Sequence, residues 1–171
     1  PASFKAVLHG GIVLAIKSST RASSFALVIF KLIYPKAMDD MTSVQNSIFQ
    51  FMIGNTDFSV AYQHNGKLLY IDKKIYPLPY DFDLCGLVDA SYAIVNNTLG
   101  INSVRDRKYR GFKRDESLLE KVRDQILSKK NEFYQIIDNQ KSKFEITTEF
   151  ESTNKFLTSF FDIMEDDKSF K

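Results

Sequence analysis

The chain has 171 residues, 44% of them hydrophobic and 26% charged, with a net charge of +2 and a single cysteine, Cys85. That is a one-domain length with an ordinary globular composition, which excludes a disordered, fibrous or collagen-like chain. The charge balance gives no argument for a nucleic-acid or membrane partner, a lone cysteine excludes an internal disulfide, and no stretch approaches the roughly 20 apolar residues of a bilayer span.

The chain opens on Pro1, and "GGIVLAIK" (10–17) has no cationic region before it and no small-residue cleavage site after it, so the first residue is read as a cut or processed end. Residues 1–35 form an apolar N-terminal segment, a remnant or strand region. It predicts strands or a buried hairpin, although "FALVIFKLIY" (25–34) suits a helix equally well. Pro35 ends that run, and residues 36–171 form the main unit. From about 39 to 53, Met41, Val44, Ile48, Phe51 and Met52 recur at helical spacing behind acidic residues, and Gly54 should stop the helix. A polar loop, "GNTDFSVAYQHNG" (54–66), comes next.

"KLLYI" (67–71) and "KIYPLPY" (74–80), separated by Asp72 and Lys73, predict a hairpin. Pro77 and Pro79 place its second strand at an edge or at the end of a sheet. Residues 105–114 hold six Arg or Lys against one Asp. A helix is expected over about 116–138, with Ser117 and Glu120 as a capping box. A last helix over about 148–164 carries Phe150, Leu157, Phe160, Phe161 and Met164 on one stripe. That stripe reads as core packing, or as a face that docks another lobe or a partner.

The chemistry concentrates at "PYDFDLCG" (79–86). In a strand Asp81 and Asp83 would share one face, with carboxylates roughly 6 Å apart. At an effective dielectric of about 20 their repulsion is on the order of 3 kcal/mol, and in open water less than about 1 kcal/mol. The pair is therefore either solvated in a turn or neutralised by a cation or a raised pKa, and a hard divalent ion suits such oxygens. Upstream, Asp57 follows a helix, and Asn65 stands eight residues later, just before the hairpin. Helix, loop acid, loop Asn, hairpin and metal-holding Asp is the order of parts in protein kinases.

On "GNTDFS…HNGKLLY…YPLPYDFD" the sequence resembles the CotH-like kinase family and, more loosely, the HipA-like kinases, both atypical protein-kinase-like folds. "PYDFD…GLVDASYA…LGINSVRDRKYRG" also looks like a group of uncharacterised bacterial proteins, so the resemblance spans about residues 40–114. It implies an α+β fold: a helix-rich protein-kinase-like C-lobe with a small β-hairpin carrying the site and the N-lobe largely absent. It implies Mg2+ (or Mn2+) and ATP as cofactors, with Asp57 as the catalytic-loop acid, Asn65 and Asp81 as metal and nucleotide ligands, and Asp83 as a second metal ligand or a supporting acceptor. The reaction implied is Mg-ATP-dependent phosphoryl transfer to a hydroxyl of a protein or small molecule, with this stretch inactive on its own. Alternatives are a non-catalytic pseudokinase or interaction domain, and a metal-dependent phosphoester hydrolase using Asp57, Asp81 and Asp83.

Two features depart from the family pattern. Kinase loops space Asp and Asn by about five residues rather than eight. Gly10-Gly11 is no phosphate-covering glycine loop, and Lys5 and Lys17 lack the surrounding lobe a phosphate-gripping lysine needs. Arg105, Arg107 and Arg110 lie where a kinase carries its substrate segment. They suit docking of an acidic or phosphorylated partner, or a solvated loop pairing with acidic helices; no nucleic-acid partner is expected, because the run fits no RNA-binding motif. His64 reads as a loop residue that steadies the site. Ser59 and Cys85 lack the paired base of a nucleophile, and Asn96-Asn97-Thr98 is a lone glycosylation sequon. The chain reads as soluble and, through the resemblance, bacterial.

Overall fold

A computed structural model describes residues 33–170 and, before them, the backbone of three strands, β1 (Phe4–Leu8), β2 (Ile12–Ile16) and β3 (Ala26–Leu27). β1 and β2 pair antiparallel with Phe4 opposite Ile16, as expected of a hairpin in the apolar segment. Residues 28–32, Gly10-Gly11 and Lys17 lie outside the described residues. The architecture is α+β and helix-rich, with a second, three-stranded sheet in the order β3–β4–β5.

α1 (Asp40–Met52) begins at Asp39, whose side chain accepts from the Thr42 amide at 3.0 Å and the Thr42 hydroxyl at 2.6 Å, satisfying a first-turn N–H. It ends in a Schellman turn: the Gly54 amide bonds the Phe51 carbonyl, the Asn55 amide bonds the Gln50 carbonyl, and Gly54 takes the left-handed conformation at φ +64°. β4 (Gly66–Ile71) and β5 (Lys74–Pro79) form the expected hairpin, with Gly66 opposite Pro79. Its two loop residues, Asp72 and Lys73, both have positive φ, which matches the turn to the twist of the strands. β5 ends at Pro79, so the residues that follow leave the ladder where an N–H donor is lacking.

The long helix expected over 116–138 is two helices, α2 (Glu116–Leu127) and α3 (Lys130–Asp138). At the break the Ser128 hydroxyl takes the Gln125 carbonyl at 2.8 Å, and the Lys129 amide reaches back only three residues, to Ile126. A serine bonding its own helix backbone competes with the ladder in this way. The expected capping box is also absent. The N-cap is Asp115, two residues before Ser117, so Ser117 already lies in the first turn, and Glu120 pairs with Arg123 at 3.3 Å.

α4 (Thr147–Glu165) is followed by the short α5 (Asp167–Phe170). Val44, Ile48 and Met52 of α1 meet Leu157, Phe160, Phe161 and Met164 of α4, with Val122 and Ile137 closing the sides. The Phe/Met stripe is thus core. A smaller cluster of Ile33, Met38 and Leu68 fixes the hairpin to the segment before α1. Among the described residues no helix is long and apolar enough to cross a membrane.

Candidate functional site

The site is built at the C-terminal end of α1. Asn55 is fully buried; its amide nitrogen donates to Gln50 Oε1 at 2.9 Å, and its Oδ1 accepts from the Asp57 amide at 2.9 Å. The Gly-Asn pair thus turns the chain out of the helix and fixes the backbone of Asp57. Arg110 completes the clamp, its Nη1 donating to the carbonyls of Thr56 (2.7 Å) and Phe58 (2.8 Å), on either side of Asp57. Its guanidinium also lies 5.1 Å from the centre of the Phe58 ring.

Asp57 and Asn65 meet directly, despite their unusual spacing. Asn65 Nδ2 donates to the Asp57 backbone carbonyl at 2.7 Å and to its Oδ2 at 2.9 Å. The intervening residues fold into a small turn of their own, closed by reciprocal Ser59–His64 backbone bonds at 2.9 Å, so three extra residues cost the site nothing in reach. His64 Nε2 bonds Asp57 Oδ1 at 2.9 Å and so steadies the loop as expected. Because Asn65 faces two oxygens it must present its NH2 group there, which turns its Oδ1 the other way as an acceptor.

The hairpin returns the chain beside this loop, with the Tyr80 amide bonding the Asn65 carbonyl at 3.2 Å. Asp81 then takes φ +61°, outside any strand, so the strand geometry expected for the acid pair is replaced by a turn. Phe82 plugs into the core edge-on to Phe49 at 5.6 Å, anchoring the turn between the two acids. Asp81 and Asp83 still interact through their carboxyls. Desolvation raises the Asp81 pKa, as do the charge of Asp83, a hydrogen bond to Asp83 and the charge of Asp57, with His64 acting the other way. Asp57, His64, Asp81 and Asp83 therefore share one electrostatic neighbourhood. The Tyr92 hydroxyl donates to Asp83 Oδ2 at 3.1 Å.

The two turns are stitched together behind the carboxylates. The Gly86 amide bonds the Gly54 carbonyl at 3.1 Å, and the Leu87 amide bonds Ile53 at 2.9 Å. A Cβ on Gly86 would lie 2.6 Å from the Val104 carbonyl oxygen, so this crossing needs glycine. Cys85 is fully buried and its thiol pKa is pushed up by that burial, which agrees with its exclusion as a nucleophile.

The three arginines read as a substrate-facing or solvated segment turn inward. Arg107 donates to the carbonyls of Met52 (3.2 Å) and Phe156 (2.6 Å) and to the Ser159 hydroxyl (2.8 Å); burial first, then the charge of Arg105, lowers its pKa to about 10. Arg105 pairs with Asp89 at 3.0 Å and donates to the Ser152 carbonyl at 2.9 Å. With Arg110, they tie the loop after the acid pair to α1, α4 and the Asp57 turn. Charge count alone could not show this, because most of the partners are backbone carbonyls and aromatic faces. Asn55, Tyr92 and Phe156 were not singled out from sequence either; only the Gly-Asn step after the helix carried a local signal for one of them.

Among the described residues no three His, Cys, Asp or Glu groups stand close enough to hold a metal ion together. Magnesium does not require them, since it is commonly held by one or two carboxylates, with waters and substrate phosphates filling the shell. Asp81 and Asp83, close enough to raise the Asp81 pKa, fit that donor set, and Asn65, bonded to Asp57 in the same neighbourhood, carries an amide oxygen that could add to it. No protein-family model matches the chain, and no curated protein or solved structure matches it.

Proposed function

We propose that the chain carries the catalytic-loop and metal-binding half of an atypical protein-kinase-like phosphotransferase, acting with Mg2+ (or Mn2+) and ATP on a hydroxyl acceptor. The observation that carries this reading is the direct Asp57–Asn65 contact beside the Asp81–Asp83 pair, produced by helix, loop, hairpin and acid turn in the order phosphoryl transfer uses. A bound divalent cation would neutralise charge on the transferring phosphoryl group. Asp57 would orient the acceptor hydroxyl and receive its proton, held in place by Asn65, Asn55 and Arg110. Asp81 and Asp83 would supply carboxylate oxygens, and Asn65 its Oδ1.

Calorimetric titration of Mg-ATP into the full natural chain, beside Asp81→Asn, tests the reading. Magnesium-dependent binding by wild type that is lost in Asp81→Asn supports it. Absence of binding to wild type overturns it, and metal-dependent phosphoester cleavage without nucleotide would then assign the same acids to a hydrolase.

A further inference from the structure

Tyr92 touches the acid turn without a task in the proposed chemistry. It is 63% exposed, yet its hydroxyl lies 3.1 Å from Oδ2 of Asp83, a carboxylate that is exposed as well. An ionised carboxylate only accepts, so the hydroxyl donates, and it takes one of the roughly four lone-pair sites on Asp83. The other sites stay open to a cation.

The loop that delivers this hydroxyl is tied down on both sides. The Val88 and Asp89 amides both bond the carbonyl of the buried Cys85, at 3.1 and 3.0 Å, and Asp89 takes φ +52°. The Ala93 amide then closes a turn around Tyr92 onto the Ala90 carbonyl at 2.9 Å. Asp89 pairs with Arg105 at 3.0 Å, and Arg105 rests on α4 through the Ser152 carbonyl and the Phe156 ring. Tyr92 is thus carried on a turn anchored to the core. Its hydroxyl can hold the Asp83 carboxylate in one plane.

We propose that Tyr92 is a positioning residue for the divalent cation, its hydroxyl holding the Asp83 carboxylate so that a free oxygen is presented beside Asp81. Ligating carboxylates are commonly hydrogen-bonded in this way, and loss of such a partner costs about 10- to 100-fold in metal affinity. An exposed carboxylate already held in place also loses less side-chain freedom on binding. The inference rests on the phosphoryl-transfer reading and adds to it a residue that need not touch the nucleotide.

Calorimetric titration of ATP into the full natural chain at a series of fixed magnesium concentrations tests it, with wild type beside Tyr92→Phe and Asp81→Asn. At low magnesium Tyr92→Phe should bind at least about tenfold more weakly than wild type. The gap should close as magnesium is raised, because mass action then restores occupancy of the weakened site. Tyr92→Phe removes only an exposed hydroxyl, so it should keep the wild-type circular dichroism and thermal midpoint. If wild type binds with magnesium, Asp81→Asn does not, and Tyr92→Phe matches wild type throughout, the proposal falls while the phosphoryl-transfer reading stands. Tighter binding by Tyr92→Phe would make the hydroxyl a competitor for the Asp83 oxygen. A deficit that no magnesium concentration repairs would place Tyr92 against the nucleotide itself. Either result overturns the proposal, and absence of binding by wild type removes the reading and the proposal together.

Discussion

Asp57 shows how much of a candidate catalytic group lies in residues that never touch substrate. Both carboxylate oxygens and its backbone amide and carbonyl are bonded, to His64, Asn65 and Asn55, before any ligand arrives. Arg110 holds the peptide groups on either side, and hydrogen bonds from a charged donor are worth about 1.5–3 kcal/mol each when their loss strands a partner. Arg110→Ala should therefore lower stability in urea by about 2 kcal/mol. It should also speed amide hydrogen exchange at Asp57 and Phe58 more than in α3, which Arg110 does not contact. An exchange change spread evenly over the molecule would show that Arg110 is a general packing residue and no clamp on Asp57.

The elements differ in how openly the sequence announced them. α1 and the β4–β5 hairpin were legible because each carries its own signals, helical periodicity between an Asp and a Gly in one, and two β-rich runs around a two-residue turn in the other. The break between α2 and α3 was not, because apolar spacing runs straight through Ser128 and only a side-chain bond to Gln125 interrupts the ladder. The acid turn was half legible: the pairing of Asp81 with Asp83 is in the spacing, but the positive φ at Asp81 and the anchoring of Phe82 depend on the core behind them. The basic loop misled for a similar reason, since arginines bonded to distant carbonyls leave no pattern in their own segment.

Asp39 gives this scale a test with a defined sign. Burial pushes its pKa up, but bonds from Thr42 and Lys74 outweigh that, and the folded value lies below the ordinary carboxylate range. Its stabilising effect is therefore fully present above the unfolded value of about 3.9 and is lost as pH falls through the lower folded value. Asp39→Ala should cost about 1 kcal/mol at neutral pH, as lost N-caps do. The gap from wild type should shrink below about pH 4. Urea unfolding of both proteins across that range reads it directly, and a pH-independent gap would mean that the carboxylate charge contributes nothing at the cap.

On the scale of the whole molecule, α4 is the wall against which both halves of the site are assembled, and Phe156 is the contact point. Its ring is stacked under Arg107 at 3.7 Å and Arg105 at 4.6 Å. A Cβ on Gly54 would stand 2.8 Å from that ring and one on Gly86 3.0 Å, so the Asp57 turn and the Asp83 turn both press their glycines against the same side chain. Removing a buried Phe typically costs about 3–5 kcal/mol, and each cation–π contact adds about 0.5–2 kcal/mol depending on its desolvation. Phe156→Ala should therefore destabilise the fold by at least about 3 kcal/mol in urea. Phe156→Leu should cost less, because it restores apolar volume and gives up only the ring face. If the two turns share this wall, Phe156→Leu should speed amide exchange at Gly54 and Gly86 together while α3 stays protected. Loosening at one glycine alone would mean that the turns are held separately, and their closeness would then rest on the Gly86–Gly54 and Leu87–Ile53 backbone bonds.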